Sequence, residues 1–238
     1  MNYNIFIVHL LKRRKAVKRI LRKKVFFRVP VLKAGKNMKR VLKKQQVANR
    51  ILQTATQMFT QEGYHPTQVA AVAKRAHVSK VTLYKYYPSK LDLGNAVLVR
   101  IIEDGYAAYG RFLDDPDMDF DDKLRTIMSV ETKSYQRLNM DFVQFVLTNL
   151  QGKLGPTSAA QAYNAGKKHF WLVLIKQGRA EGKIDPHISD DSLMIFADMF
   201  INYFLTHQYQ ADFDVTKLKE EGPELLQLFF YGFVGKQA

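Results

Sequence analysis

Between Val47 and Lys90 the chain carries short apolar stripes of helical period, each cut off by a residue that stops a helix. Val47, Ile51, Leu52, Ala55, Met58 and Phe59 fall on one face. Gly63 follows, free to adopt the left-handed conformation that helix C-termini often need. Val69, Val72, Ala73 and Ala76 mark a second helix, for which Thr67 stands as the N-cap. After a tight connection through His77 and Val78, Ser79 caps a third helix, which reaches about Tyr86 before Pro88 ends it. Ser89 opens a fourth, with Asp92 at the capping-box position three residues on. Helices this short are unstable alone and must bury their faces against one another. Helix, short helix, turn and second short helix make a helix-turn-helix.

An exposed helix of about 10–12 Å diameter fits the major groove of duplex DNA. The second helix of the pair, Ser79-Lys80-Val81-Thr82-Leu83-Tyr84-Lys85-Tyr86, offers ammonium, hydroxyl and phenol donors for phosphates and base edges. Val81 suits a thymine methyl. No carboxylate lies between Glu62 and Asp92 to repel a phosphate backbone. The competing reading is a helical hairpin whose aromatics only pack it.

The string Ala76-His77-Val78-Ser79-Lys80-Val81-Thr82-Leu83-Tyr84-Lys85-Tyr86-Tyr87-Pro88-Ser89-Lys90, with Arg50, Gly63-Tyr64 and Thr67 at their spacing, resembles the DNA-binding domain of the TetR family of transcriptional regulators. Val81 departs from the family's frequent glycine and Tyr87 from its commoner phenylalanine. The resemblance implies that Thr67 holds a phosphate through its hydroxyl and backbone N–H. It implies that Ser79, Lys80, Val81, Thr82 and Lys85 meet the groove, that Tyr84 and Tyr86 bond flanking phosphates, and that Lys90 anchors another. Leu83 and Tyr87 are expected to pack the reader from within.

Charge agrees with a polyanionic partner but is distributed unevenly. Residues 1–61 hold 17 Lys+Arg and no acid, while the other 177 residues hold 20 basic and 22 acidic groups. Residues 1–37 therefore read as a basic extension, with three readings open: an arm that tracks phosphates, a membrane-surface helix, or a disordered stretch upstream of a natural start at Met38. The apolar run from Ile5 to Leu11 is too short to span a bilayer, and the charges follow it rather than precede it as in a secretory signal. A soluble cytoplasmic protein is the expectation.

Residues 38–90 read as the DNA-binding domain and 91–238 as a second, wholly helical domain, giving an all-α fold. Leu93, Val97 and Ile101 continue the fourth helix towards the acidic stretch Asp114 to Asp122. The aspartates there fail as a calcium loop, because Asp122 and Met128 stand where glycine and glutamate are needed; a solvated loop feeding a helix N-terminus is preferred. Leu124, Ile127, Met128, Tyr135 and Leu138 mark a fifth helix, and Phe142, Phe145, Val146 and Leu150 a sixth. A seventh runs to about Glu181, an eighth from Asp190 to about Gln208, and a ninth from Pro223.

The resemblance implies that the last two helices pair with those of a second copy. Phe196, Phe200, Phe204, Leu226, Phe229, Phe230 and Phe233 are the candidates for that homodimer interface. It also implies an effector pocket, for which Phe142, Phe145, Trp171, Phe200 and Tyr203 are candidate lining residues, with Met128 and Met199 adaptable and His169 and His207 able to bond a ligand. The effector itself is not encoded beyond a lean towards apolar or aromatic molecules.

With no cysteine, neither a disulfide scaffold nor a thiolate metal site is possible. No GxSxG, GxxxxGK[ST], HExxH or GxGxxG pattern occurs. The expectation is a ligand-responsive homodimeric repressor on a palindromic double-stranded DNA operator, without catalysis, cofactor or metal. Two rivals stand beside it: a regulator of the same fold answering to a protein partner, and a membrane-surface protein using residues 1–36.

Overall fold

The structure, a computed structural model, describes residues 36–131, 139–155, 157–207, 224–225, 227–229 and 232. In chain order its helices are α1 (Lys36–Glu62), α2 (Val69–Arg75), α3 (Lys80–Tyr86), α4 (Lys90–Leu113), α5 (Phe120–Glu131), α6 (Met140–Leu150), α7 (Ser158–Ala180) and α8 (Asp190–His207). Residues 224–225 and 227–229 are helical as well, and no strand occurs among the described residues. The chain is all-α, and none of these helices is long and apolar enough to cross a membrane. The basic segment before Lys36 lies outside the described residues. So do Tyr135, Leu138, Leu226, Phe230 and Phe233, and the side chains of Met128, Tyr203, Phe204 and His207.

The described residues form two compact units. The first gathers α1, α2, α3, α4 as far as Ile101, and residues 139–161 with α6. Its core is built from Ile51, Ala55, Met58 and Phe59 of α1, Val72 and Ala73 of α2, Leu83 of α3, and Leu93, Val97 and Leu98 of α4. The stripes read from the sequence supply these residues except Leu98, but α1 starts earlier than its stripe. Residues 36–46 are rich in Lys, Leu, Met and Gln, all strong helix formers, and they extend α1 with side chains that are mostly exposed.

Turn chemistry sets the boundaries. Gly63 ends α1 with φ +99°, and the Thr67 hydroxyl donates to its carbonyl at 2.6 Å. Thr67 is therefore not the cap of α2, as its hydroxyl is spent on the preceding turn. The N-cap is Gln68, whose side chain makes no capping bond. His77 holds the left-handed φ of 53° in the turn between α2 and α3. The capping box at the start of α4 is present: Ser89 Oγ accepts from the Asp92 N–H at 3.0 Å and donates to its carboxylate at 2.7 Å.

α6 packs into this unit through aromatic contact. The Tyr64 ring stacks on Phe145 with centroids 3.6 Å apart, and α4 crosses both rings at Gly94. A Cβ at Gly94 would lie 2.7 Å from Phe145 and 2.8 Å from Tyr64. Asn149, fully buried on α6, ties α4 to α7: it donates to Asn95 and accepts from Thr157 at 2.5 Å each.

The second unit gathers α4 from Ile102, α5, α7 from Ala162, α8 and the described part of 224–232. Tyr109 meets Phe170 of α7 edge to face at 5.3 Å. Tyr106 lies so close to α7 that a Cβ at Gly166 would fall 2.1 Å from its ring. Lys123 of α5 is buried, and its ammonium caps the end of α4 by donating to the Leu113 carbonyl at 2.7 Å and to Gln177 at 2.5 Å. The aspartates before α5 serve its N-terminus, where Asp119 accepts from the Asp122 N–H at 2.6 Å.

Three helical glycines give a controlled test. Gly94→Ala and Gly166→Ala push a methyl into aromatic rings and should each lower stability by about 1–3 kcal/mol. Gly110→Ala, whose Cβ meets nothing nearer than 3.6 Å, should leave stability unchanged or raise it by up to about 1 kcal/mol. Thermal unfolding of the three variants checks the ordering.

Candidate nucleic-acid interface

Helix α3 buries Leu83 alone. Ser79, Lys80, Val81, Tyr84 and Lys85 are exposed, Val81 by 66%, while Thr82 and Tyr86 are half-buried. Ser79 caps the helix, accepting from the Thr82 N–H at 3.0 Å, and its hydroxyl also shares a bond with that of Thr82. The capping fixes the first turn, so Lys80 and Val81 leave the surface from a rigid base. The ammonium of Lys80 stands 5.8 Å from the Tyr84 ring. Glu62, the acid preceding the reader in sequence, is paired with Arg75 at 2.7 Å.

Leu83 and Tyr87 stand where the sequence puts them, inside the reader. Leu83 is fully buried. Tyr87 is half-buried with its hydroxyl directed at the Ala48 carbonyl of α1 at 3.5 Å, and burial raises its pKa.

Two expected phosphate ligands are placed differently from the others. Thr67 is buried and its hydroxyl proton is used by Gly63; any anion contact there falls to the backbone rather than the side chain. Lys90 is half-buried, donates to the His65 carbonyl at 2.9 Å and lies 4.9 Å from the Tyr64 ring centroid. Desolvation lowers its pKa, and the charge of Asp141 offsets part of that.

Asp141 is the residue that sequence reading missed. Its carboxylate accepts from the His65 N–H at 2.7 Å and meets His65 Nδ1 at 2.7 Å. The neighbouring Asn139 N–H donates to the Thr60 carbonyl at 3.2 Å. The N-terminus of α6 is thus bonded to the turn that joins α1 to α2. Nothing in the local pattern of Asp141 distinguishes it from an ordinary first-turn acid. Gly94 was detectable in principle, since glycine inside a helical stripe signals close approach.

The effector candidates are divided between the two units. Phe142 and Phe145 belong to the unit of α3, where Phe145 is stacked on Tyr64. Trp171 and Phe200 belong to the other unit, and both meet Phe229, at 5.7 Å and 4.5 Å. His169 is exposed. Of the interface candidates, Phe196 is half exposed and stacks on Phe229 at 5.1 Å, so Phe229 also packs within its own chain.

Residues 51–97 match the model of the bacterial regulatory proteins of the tetR family. The regulator FasR of Mycolicibacterium smegmatis is 37% identical over 62 residues, covering 26% of this chain and 28% of that protein. The repressor KstR of Rhodococcus jostii is 34% identical over 88 residues, covering 37% of this chain and 40% of that protein. The chain thus aligns with less than half the length of either relative. The fatty acid metabolism regulator of Bacillus subtilis matches further, at 24% identity over 141 residues, 57% of this chain and 69% of that protein. In fold, the chain is similar to FadR of Thermus thermophilus in complex with lauroyl-CoA, with a TM-score of 0.55 at 23% identity over 80% of this chain and 97% of that one. FadR of Bacillus subtilis in complex with stearoyl-CoA gives 0.53 at 19% over 77% and 98%. The matched segment is the one that carries α3 and the turn before it, and over that segment the chain is similar to the bacterial regulatory proteins of the tetR family.

Proposed function

We propose that this protein is a ligand-responsive transcriptional repressor that acts in the cytoplasm as a homodimer on a palindromic operator. The observation that carries the reading is the make-up of α3. It spends one side chain on the core and turns Lys80, Val81, Tyr84 and Lys85 outward from a capped, acid-free helix. Such a helix can enter the major groove and be held there by phosphates.

Dimerisation is supported by α8, where Ile195 and Met199 are 61% and 66% exposed beside the half-exposed Phe196. Large apolar groups clustered on one helix are what a second copy would cover. Two copies of α3 about 34–36 Å apart would meet half-sites one DNA turn apart. The effector binds in the helical second unit. It acts by favouring a state in which α4, which runs unbroken from Lys90 to Leu113, holds the two readers at a spacing that misses successive grooves. The FadR structures were solved with long-chain acyl-CoA, which makes that class the first effector to try.

Footprinting on the DNA flanking the gene, followed by titration of the operator, tests the reading. Lys85→Ala should weaken binding to operator and random DNA alike and reduce the salt slope by about one. Val81→Gly and Thr82→Ala should instead change which base pairs are preferred, by about 1–3 kcal/mol at the affected position. Equal losses on all sequences for all three variants would sink the assignment of α3. Ile195→Glu combined with Met199→Glu should yield a folded monomer by light scattering, with operator affinity reduced at least a hundredfold through lost bivalency.

A further inference from the structure

Among the described residues of the second unit, two fully buried polar atoms have no hydrogen-bond partner and no local explanation for lacking one: the Tyr163 hydroxyl and the Trp171 indole Nε1. A third, Arg179 Nε, has a local explanation, because the rest of that guanidinium is held by Asp190 and the Ile188 carbonyl. No such explanation exists for the other two. Leaving a buried donor unpaired costs about 1–3 kcal/mol, a cost that phenylalanine at position 163 would not carry.

Tyr163 and Trp171 lie on one face of α7 with Lys167 between them, at successive spacings of four residues. The Lys167 side chain is 13% exposed, pairs with Asp198 of α8 at 2.5 Å, and stands 5.7 Å from the Tyr163 ring. Tyr106 of α4 donates to the Tyr163 carbonyl at 3.3 Å, which fixes this part of α7. Around Trp171 the surroundings are apolar, with Phe170 at 5.2 Å and Phe229 at 5.7 Å. Burial and the nearby Asp198 raise the Tyr163 pKa far above neutrality, so the phenol keeps its proton and can donate it.

We propose that Tyr163 and Trp171, two turns apart on α7, are hydrogen-bond donors of the effector site, each to a neutral acceptor oxygen, such as that of a thioester or ester, on a ligand with an apolar body. The proposal rests on the reading of the protein as ligand-responsive. Both orphan groups offer a proton, so the ligand must supply acceptors. The one cation on this face is already neutralised by Asp198, so the site carries no net charge to hold an ionised carboxylate. Aromatic rings flank the donors and suit an apolar chain rather than a sugar.

Trp171 is the only tryptophan of the chain, so its intrinsic fluorescence reports on this site in the full-length protein. The probes are lauroyl-CoA, methyl laurate and laurate, which share one chain and differ in the acyl oxygen. Both neutral acyl probes should change the Trp171 emission, with laurate binding at least tenfold more weakly. Binding of lauroyl-CoA alone would assign the affinity to the CoA moiety and overturn the proposal, as would tighter binding of laurate or no response to any probe. Tyr163→Phe should bind lauroyl-CoA about five- to tenfold more weakly, while its melting temperature without ligand is unchanged or higher. Equal affinity in Tyr163→Phe would overturn the site even if lauroyl-CoA still released operator DNA. In that case the regulatory reading stands and only the assignment of the donors fails. Loss of operator binding by the unliganded wild type would instead remove the regulatory reading itself.

Discussion

The ring of Tyr64 joins three helices of the unit that carries the reader. It stacks on Phe145 of α6 at 3.6 Å, meets Phe59 of α1 edge to face at 5.2 Å, lies beneath the Lys90 ammonium and fits against α4 only because residue 94 has no side chain. A stacked aromatic pair contributes about 0.5–1.5 kcal/mol beyond the area it buries. Its structural effect is larger than that figure, because α1, α4 and α6 are all positioned against one rigid plane. The polar bonds from Asp141 and Asn139 then fix the turn leading into α2, and α2 in turn supports α3.

Buried polar groups among the described residues are of two kinds, satisfied and unsatisfied. Lys123, Asn149 and Thr157 are buried and fully engaged, each bridging two helices. Such groups fix helix order, since losing one partner strands the other in a dry interior. Tyr163 and Trp171 break the pattern within the same kind of helical packing. Sites where local rules fail are where function is expected to reside, and here the failure is of the sort a ligand oxygen can repair.

Much of the reader was legible because its signals are local. The spacing of Leu83 within Ser79–Tyr86, the cap at Ser79, the stop at Pro88 and the box between Ser89 and Asp92 act over three or four residues, and all appear as read. At Thr67 the local signal is ambiguous. A threonine before a helix can cap forward or bond backward, and only the left-handed turn at Gly63 decides that it bonds backward. An apolar stripe does not say which neighbour it faces, so the stacking of Phe145 on Tyr64 is not legible in it. The helix start at Lys36 is not legible because polar helix formers leave no stripe.

The sequence by itself determined the helical class, the order and ends of most helices, and the chemistry of α3, because helical period, caps and stops are set by neighbours in the chain. Only the tertiary structure decided that α6 joins the reader's unit through Tyr64 and Asp141, that Gly94 and Gly166 are close-approach sites, and that Tyr163 and Trp171 are buried without partners. Those facts depend on contacts between residues tens of positions apart. Such contacts arise from packing, in which each helix satisfies its apolar face and its polar groups against whichever partner the whole fold supplies.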